Sequence, residues 1–257
     1  MRSLVIVALG CALSTNAASP ARSGCSATDY ASASIAVRTS PAADGESHQS
    51  IPRGKISSLA RVDGFGSPKG DWLQVRGGTY DGWVSAKYVV CRVSAEEAKN
   101  VIAPQAADVL QALKTADMKK LAEVVHPTKS LRFSPYASVD TKTDVVLTAS
   151  QLKDALQDSA KRVWGADDGS GAPIRLTFTR YYHKFVYDRD FSKASQVNYN
   201  RADDGTKHAW ENYPNAIVVE YGLPETGSTP REHLLLVFEQ HQGKWYLSGI
   251  IHGGWTI

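Results

Sequence analysis

The first part of the chain alternates apolar and polar positions, the middle carries helical spacing, and the tail is strongly β. In "SIAVRTSP", Ile35 and Val37 fall on one face before Pro41 stops the run. "ADGESHQS" reads as a polar loop, and "IPRGKISSLARV" resumes the alternation after a Pro-Arg-Gly turn. "DWLQVRGGTYDGWV" predicts two strands around a two-residue turn at Gly77-Gly78, and "SAKYVVC" supplies the last strand. Short strands packed this closely within 25–91 predict a small all-β barrel.

Ser94 and Glu97 suit a capping box opening a short linker helix, with Pro104 as the boundary, so 92–104 reads as a linker. Beyond it, Ala106, Val109, Leu110 and Leu113 form the stripe of an amphipathic helix. Met118, Leu121, Ala122 and Val125 repeat that spacing behind Asp117 as N-cap, and Pro127 ends the helix at His126. "SLRFSPYASVD" and "DVVLT" read as extended. Thr148 and Gln151 suit another capping box ahead of a helix through "SQLKDALQDSAKRV". A turn at "DDGSGAP", a strand at "IRLTF" and a helix at "RYYHKFVYD" follow. The polar run "SKASQVNYNRADDGTKHAWENYPN" reads as a long loop. "AIVVEYGL", "EHLLLVFEQ" and "KWYLSGIIHGG" are strands, the last two joined by a tight hairpin at "HQGK". Helices first and long strands last predict an α+β domain over 105–257, with helices packed on a curved antiparallel sheet.

Several of these blocks carry resemblances. "IAVRTSP", "IPRGKISSLARV", "DWLQVRGG" and "GWVSAKYV" occur in the order seen in bacterial Src-homology-3-type domains, and 25–91 resembles that family, with Ser40 where a glycine is usual. The resemblance implies an accessory module that binds cell wall or ligand. The element order of 105–257 is similar to the cone fold of ketosteroid-isomerase-like and nuclear-transport-factor-like proteins. "HPTKSLRFSPY", "WGADDGSG", "FVYDRDF", "YPNAIVVEY" and "GKWYLSGIIHGGWTI" resemble a C-terminal domain of uncharacterised secreted bacterial proteins, which implies no activity.

The first residues sharpen the compartment. Arg2, the apolar run "LVIVALGCAL" and the small residues of "STNAASPA" read as a signal peptide over 1–18, too short to span a bilayer. Periplasmic or extracellular location follows, with anchoring as a lipoprotein through Cys11 as the alternative. Cys25 and Cys91 remain as a pair, and an even count in an exported chain implies a disulfide clasping the small barrel. The net charge of +3 over 257 residues, without a long basic run, argues against nucleic acid. No later stretch is apolar enough for a transmembrane segment.

Candidate chemistry is sparse. No cysteine follows Cys91, so Cys-His catalysis in the second domain is excluded. "DDGSG" lacks the pattern of a serine nucleophile elbow. His126, His183, His208, His233, His241 and His252 form no compact ligand pair, so neither metal nor cofactor is expected. The remaining catalytic candidates are Glu220, in an apolar strand, with His126 and His252. Aromatic and basic crowding offers a ligand surface from Arg132, Tyr136, Tyr182, His183, Tyr187, Trp210, Tyr213 and Trp255. The expected function is a non-catalytic accessory protein of the cell envelope, with peptidoglycan or an envelope protein as partner. A hydrolase acting on wall material is the alternative, and a structural or assembly factor the second.

Overall fold

The computed structural model describes residues 25–27, 34–52, 72–77, 80–85, 89–201, 204–224 and 232–253. The signal-peptide reading, Cys11, the strand expected within 53–71 and Trp255 all lie outside them.

The N-terminal module contains β1 (Cys25–Ala27), β2 (Ser34–Arg38), β3 (Ser47–Pro52), β4 (Trp72–Gly77), β5 (Tyr80–Ser85) and β6 (Val89–Cys91). Its described strands form a four-stranded antiparallel sheet, ordered β3-β2-β5-β4, and a separate β1-β6 pair. Ile35, Val37 and Val84 are buried, as alternation requires. Strand β3 claims the second half of the expected loop. Bonds from Thr39 N to Glu46 O and from Gly45 N to Ala42 O close a turn early enough for Ser47 to join the ladder. Gly77 pairs with Tyr80 at the ends of β4 and β5, and Gly78 of the expected turn lies outside the described residues. In β1 and β6 the Cα partners are Cys25 and Cys91.

The helix α1 (Ala95–Lys114) runs straight through Pro104. The expected break is absent because the apolar stripe keeps its phase across the proline. Ala98, Ile102, Ala106, Val109 and Leu113 are all buried in one core, which also takes in Val93. Ser94 Oγ accepts from Glu97 N at the helix start. The helix α2 (Met118–Glu123) is capped by Asp117, as expected. It ends before His126, because Val125 bridges to Leu247 and His126 N donates to Leu247 O.

Strands β7 (Leu131–Ser134) and β8 (Val145–Leu147) form a hairpin, followed by α3 (Ala149–Lys153) behind its Thr148–Gln151 capping box. The helix expected through Val163 stops at Lys153, since Val163 and Trp164 belong to β9 (Arg162–Ala166), which pairs with β10 (Pro173–Leu176). The helix α4 (Phe178–Phe185) buries Phe178, Tyr181, Tyr182 and Phe185 at i, i+3, i+4 and i+7. Trp164 stacks on Tyr181 with ring centroids 4.0 Å apart, and its Nε1 donates to Leu176 O at 2.9 Å.

The polar run expected as a loop holds β11 (Gln196–Tyr199) and α5 (Asp204–Asn212). Among the described strands β11 is an edge that pairs with β12 (Ile217–Gly222) alone, so it carries few apolar positions and leaves no alternating signature. Strands β13 (His233–His241) and β14 (Lys244–His252) turn through Gln242 and Gly243, both at positive φ, as a primed two-residue hairpin requires. The sheet is six-stranded, ordered β11-β12-β13-β14-β7-β8, with β14 and β7 parallel. It is therefore mixed where the sequence reading expects antiparallel pairing throughout. Ile217, Val219, Leu234, Leu236, Phe238 and Ile250 face the core shared with α1 and α4. Val218, Leu235, Val237 and Ile251 face the opposite side, packed with Ala209 and Tyr213. Both faces are covered, which is why these strands read as continuous apolar runs. Among the described residues, no helix is long and apolar enough to cross a membrane.

Candidate functional site

A cavity of about 400 Å³ lies between the loop joining β7 to β8 and the β9–β10 hairpin. Its apolar wall includes Pro135, Tyr136, Val163 and Pro173; its polar wall includes Asp140, Asp144 and Asp168. The β7–β8 register makes Phe133 and Val145 partners, so Ser134 and Asp144 meet on the next rung. Ser134 Oγ donates to Asp144 Oδ2 at 2.6 Å, and Asp140 N donates to the same oxygen at 3.0 Å. The other oxygen, Oδ1, receives no hydrogen bond from the described residues. It lies 3.8 Å from where a Cβ on Gly165 would stand, and Gly165 also lines the cavity. Gly165 has φ +119°, a conformation that other residues reach only under strain. Glycine here keeps the cavity wall thin.

Asp144 is 8% exposed. Burial raises its carboxyl from 3.8 to about 6, against the hydrogen bonds from Ser134 and Asp140 and the charge of Arg132, which lower it. Asp140 is held below its ordinary range, chiefly by the Lys142 backbone N–H. Across the cavity, Tyr136 Oη donates to Asp167 Oδ2 at 3.4 Å, and Ser170 N and Oγ donate to Asp167 Oδ1. The site thus combines aromatic, proline and valine side chains with carboxylates, one of them with an open acceptor. A second cavity of about 400 Å³ between α1 and α2 is lined by Pro104, Val109, Ala112 and Leu121, with charged groups including Asp108, Lys120 and Glu123, and no buried carboxylate enters it.

Comparison with family models, curated proteins and solved structures finds no match for this chain in any of the three. Its functional reading therefore rests on geometry.

The catalytic candidates do not converge. Alternation along the sheet puts Glu220 on the α5 face and His252 on the opposite one, where its ring meets Phe185 edge-on. His126 packs 5.4 Å from His241, centroid to centroid. Glu220 pairs with Leu235, six residues earlier on β13, roughly 20 Å away at strand rise. His126 is a turn-closing residue: its Nδ1 accepts from Lys129 N at 3.1 Å, and burial lowers its pKa. Each of the other two candidates has its own partner. Glu220 is buried, contacts His233 through Oε1 and accepts from Asn198 Nδ2 at 2.8 Å through Oε2. His252 Nε2 lies 3.3 Å from Asp188 Oδ1. Among the described residues, no three His, Cys, Asp or Glu side chains are grouped to hold a metal ion.

The aromatic and basic candidates also disperse. Of the described candidates, Tyr136 alone lines the Asp144 cavity. Arg132 is not in the lining, and donates to the carbonyls of Thr141 and Asp144 at 3.3 Å. Tyr182 is core and gives its hydroxyl to Leu113 O. His183 is exposed. Tyr187 donates to Asp190 at 2.9 Å. Trp210 lies under the Arg92 guanidinium at 4.4 Å, and Tyr213 is buried on the α5 face. Sequence reasoning missed Ser134, Asp144 and Gly165. The usable signal was the pairing of "RFS" with "DVVL": once Phe133 opposes Val145, Ser134 must oppose Asp144.

Proposed function

We propose that this chain is an exported protein of the cell envelope that binds a small ligand without transforming it. The α+β body (residues 92–253) provides the binding site, and the N-terminal module acts as an accessory that docks to wall or partner. The observation that carries the reading is the cavity between the β7–β8 loop and the β9–β10 hairpin, with a buried carboxylate offering an open acceptor. Such a pocket, mostly apolar with a few placed polar groups, is the usual form of a small-molecule site. Export is supported by the Cys25–Cys91 register. Directly opposed antiparallel residues have Cα atoms about 4.5 or 5.5 Å apart, and a disulfide accepts about 4.4–6.8 Å.

The test is a titration of the isotopically labelled full chain with soluble peptidoglycan fragments, read by backbone amide shifts. Saturable shifts at Tyr136, Asp144 and Gly165 are expected. Shifts confined to the N-terminal module would move the binding role there and leave the cavity empty of function.

The Glu220–His233 contact favours a second reading, a hydrolase. A buried carboxylate that orients an imidazole is the arrangement of a general base. Release of soluble fragments from purified wall, abolished in Glu220→Gln, would establish it in place of the binding role.

A further inference from the structure

Resting on the ligand-binding reading of the same cavity, we infer that its ligand is an organic amine, with an ammonium group donating to Asp144 Oδ1 and an apolar body against Tyr136.

The chemistry of the walls selects that class. Asp140, Asp144 and Asp168 line the cavity, and among the described residues no lysine, arginine or histidine does. Two cations act on these carboxylates from outside the lining: Arg132, whose guanidinium Nη1 donates to the carbonyls of Thr141 and Asp144, and Lys142, which acts on Asp140. An anionic ligand would meet three carboxylates and no cation among the lining residues. A bare metal ion is disfavoured as well, since these carboxylates do not gather on a point. The three are spread along a cavity of about 400 Å³, which suits an extended ligand touching them in turn. Asp144 is over nine-tenths buried, and its open Oδ1 can only accept. An ammonium supplies the donor that Oδ1 lacks and adds a positive charge to that of Arg132. Tyr136 is fixed by its bond to Asp167, and with Pro135, Val163 and Pro173 it presents carbon to the rest of the molecule. An aromatic face beside a carboxylate is also a favourable setting for a cation.

Three probes of one shape test this: benzylamine, benzyl alcohol and benzoate, titrated into the labelled full chain. Benzylamine is expected to shift Tyr136, Asp144 and Gly165 with an affinity about tenfold above that of benzyl alcohol, and benzoate not to bind. Asp144→Asn should reduce the amine preference to about twofold or less. Asp168→Asn, at an exposed position, should weaken benzylamine by about two- to threefold without disturbing the fold. Equal binding of benzylamine and benzyl alcohol at these residues would overturn the amine assignment and leave the cavity reading standing. Absence of shifts with all three probes would overturn both. Calcium ions that produce the same shifts and displace benzylamine would replace the organic amine with a metal.

Discussion

Asp144 holds a proton about two pH units longer in the folded chain than its ordinary value of 3.8 allows, with Arg132 and Asp140 as its charged neighbours. Between roughly 3.8 and 6 the folded state binds a proton that the unfolded chain releases. Its burial therefore costs nothing below that window, costs progressively more through it, and costs on the order of 2–3 kcal/mol above it. Asp144→Asn keeps an oxygen for Ser134 and Asp140 and removes the charge. It should stabilise the chain at pH 7.5 by about 1–3 kcal/mol and by almost nothing at pH 4, read as the difference from wild type in urea titrations. Gly165 is constrained differently. A Cβ there would stand 3.3 Å from Pro135 Cγ at φ +119°, so Gly165→Ala should destabilise by about 1–3 kcal/mol in the same assay. Neither role is visible in a linear reading. A glycine in "WGADD" and an aspartate opening "DVVL" become partners only through the approach of two hairpins.

At the scale of elements, local signals did best where they were strong. Asp117 and Thr148 cap their helices as their spacing implies, and "HQGK" turns where glycine and a positive φ allow. The failures share a cause. Val163 and Trp164 carry a pattern that suits helix or strand, and the β10 partner decided the matter. Edge strand β11 exposes Val197 and shows too little apolar content to be recognised. Pro104 is the sharpest case, since a proline inside a helix removes a hydrogen bond and crowds the carbonyl four residues back. Packing of Ile102 and Ala106 on either side overrides it. Pro104→Ala should therefore raise stability by about 1–2 kcal/mol, the helical gain offset in part by a freer unfolded chain, as a higher urea midpoint with unchanged slope would show.

For the whole molecule, the Cys25–Cys91 register makes a chemical statement that can be checked directly. Peptide mapping of native protein without reductant should recover the two residues in one linked species. Reduction should lower stability of the N-terminal module by about 2–4 kcal/mol. Two free thiols would remove the main support for export. The candidate catalytic set shows how far sequence reaches at this scale. Glu220, His126 and His252 were chosen by residue type, and only the alternation of a fully assembled sheet separates them. The sheet order carries one more implication. Strand β14, the last described strand in chain order, lies between β13 and β7 and not at a margin. As the chain emerges from ribosome or translocation pore, β7–β8 and β11–β12–β13 are two disconnected flaps until Lys244–His252 follow. Truncation before Lys244 would not trim a border; it would divide the domain down its middle and bare both halves to aggregation.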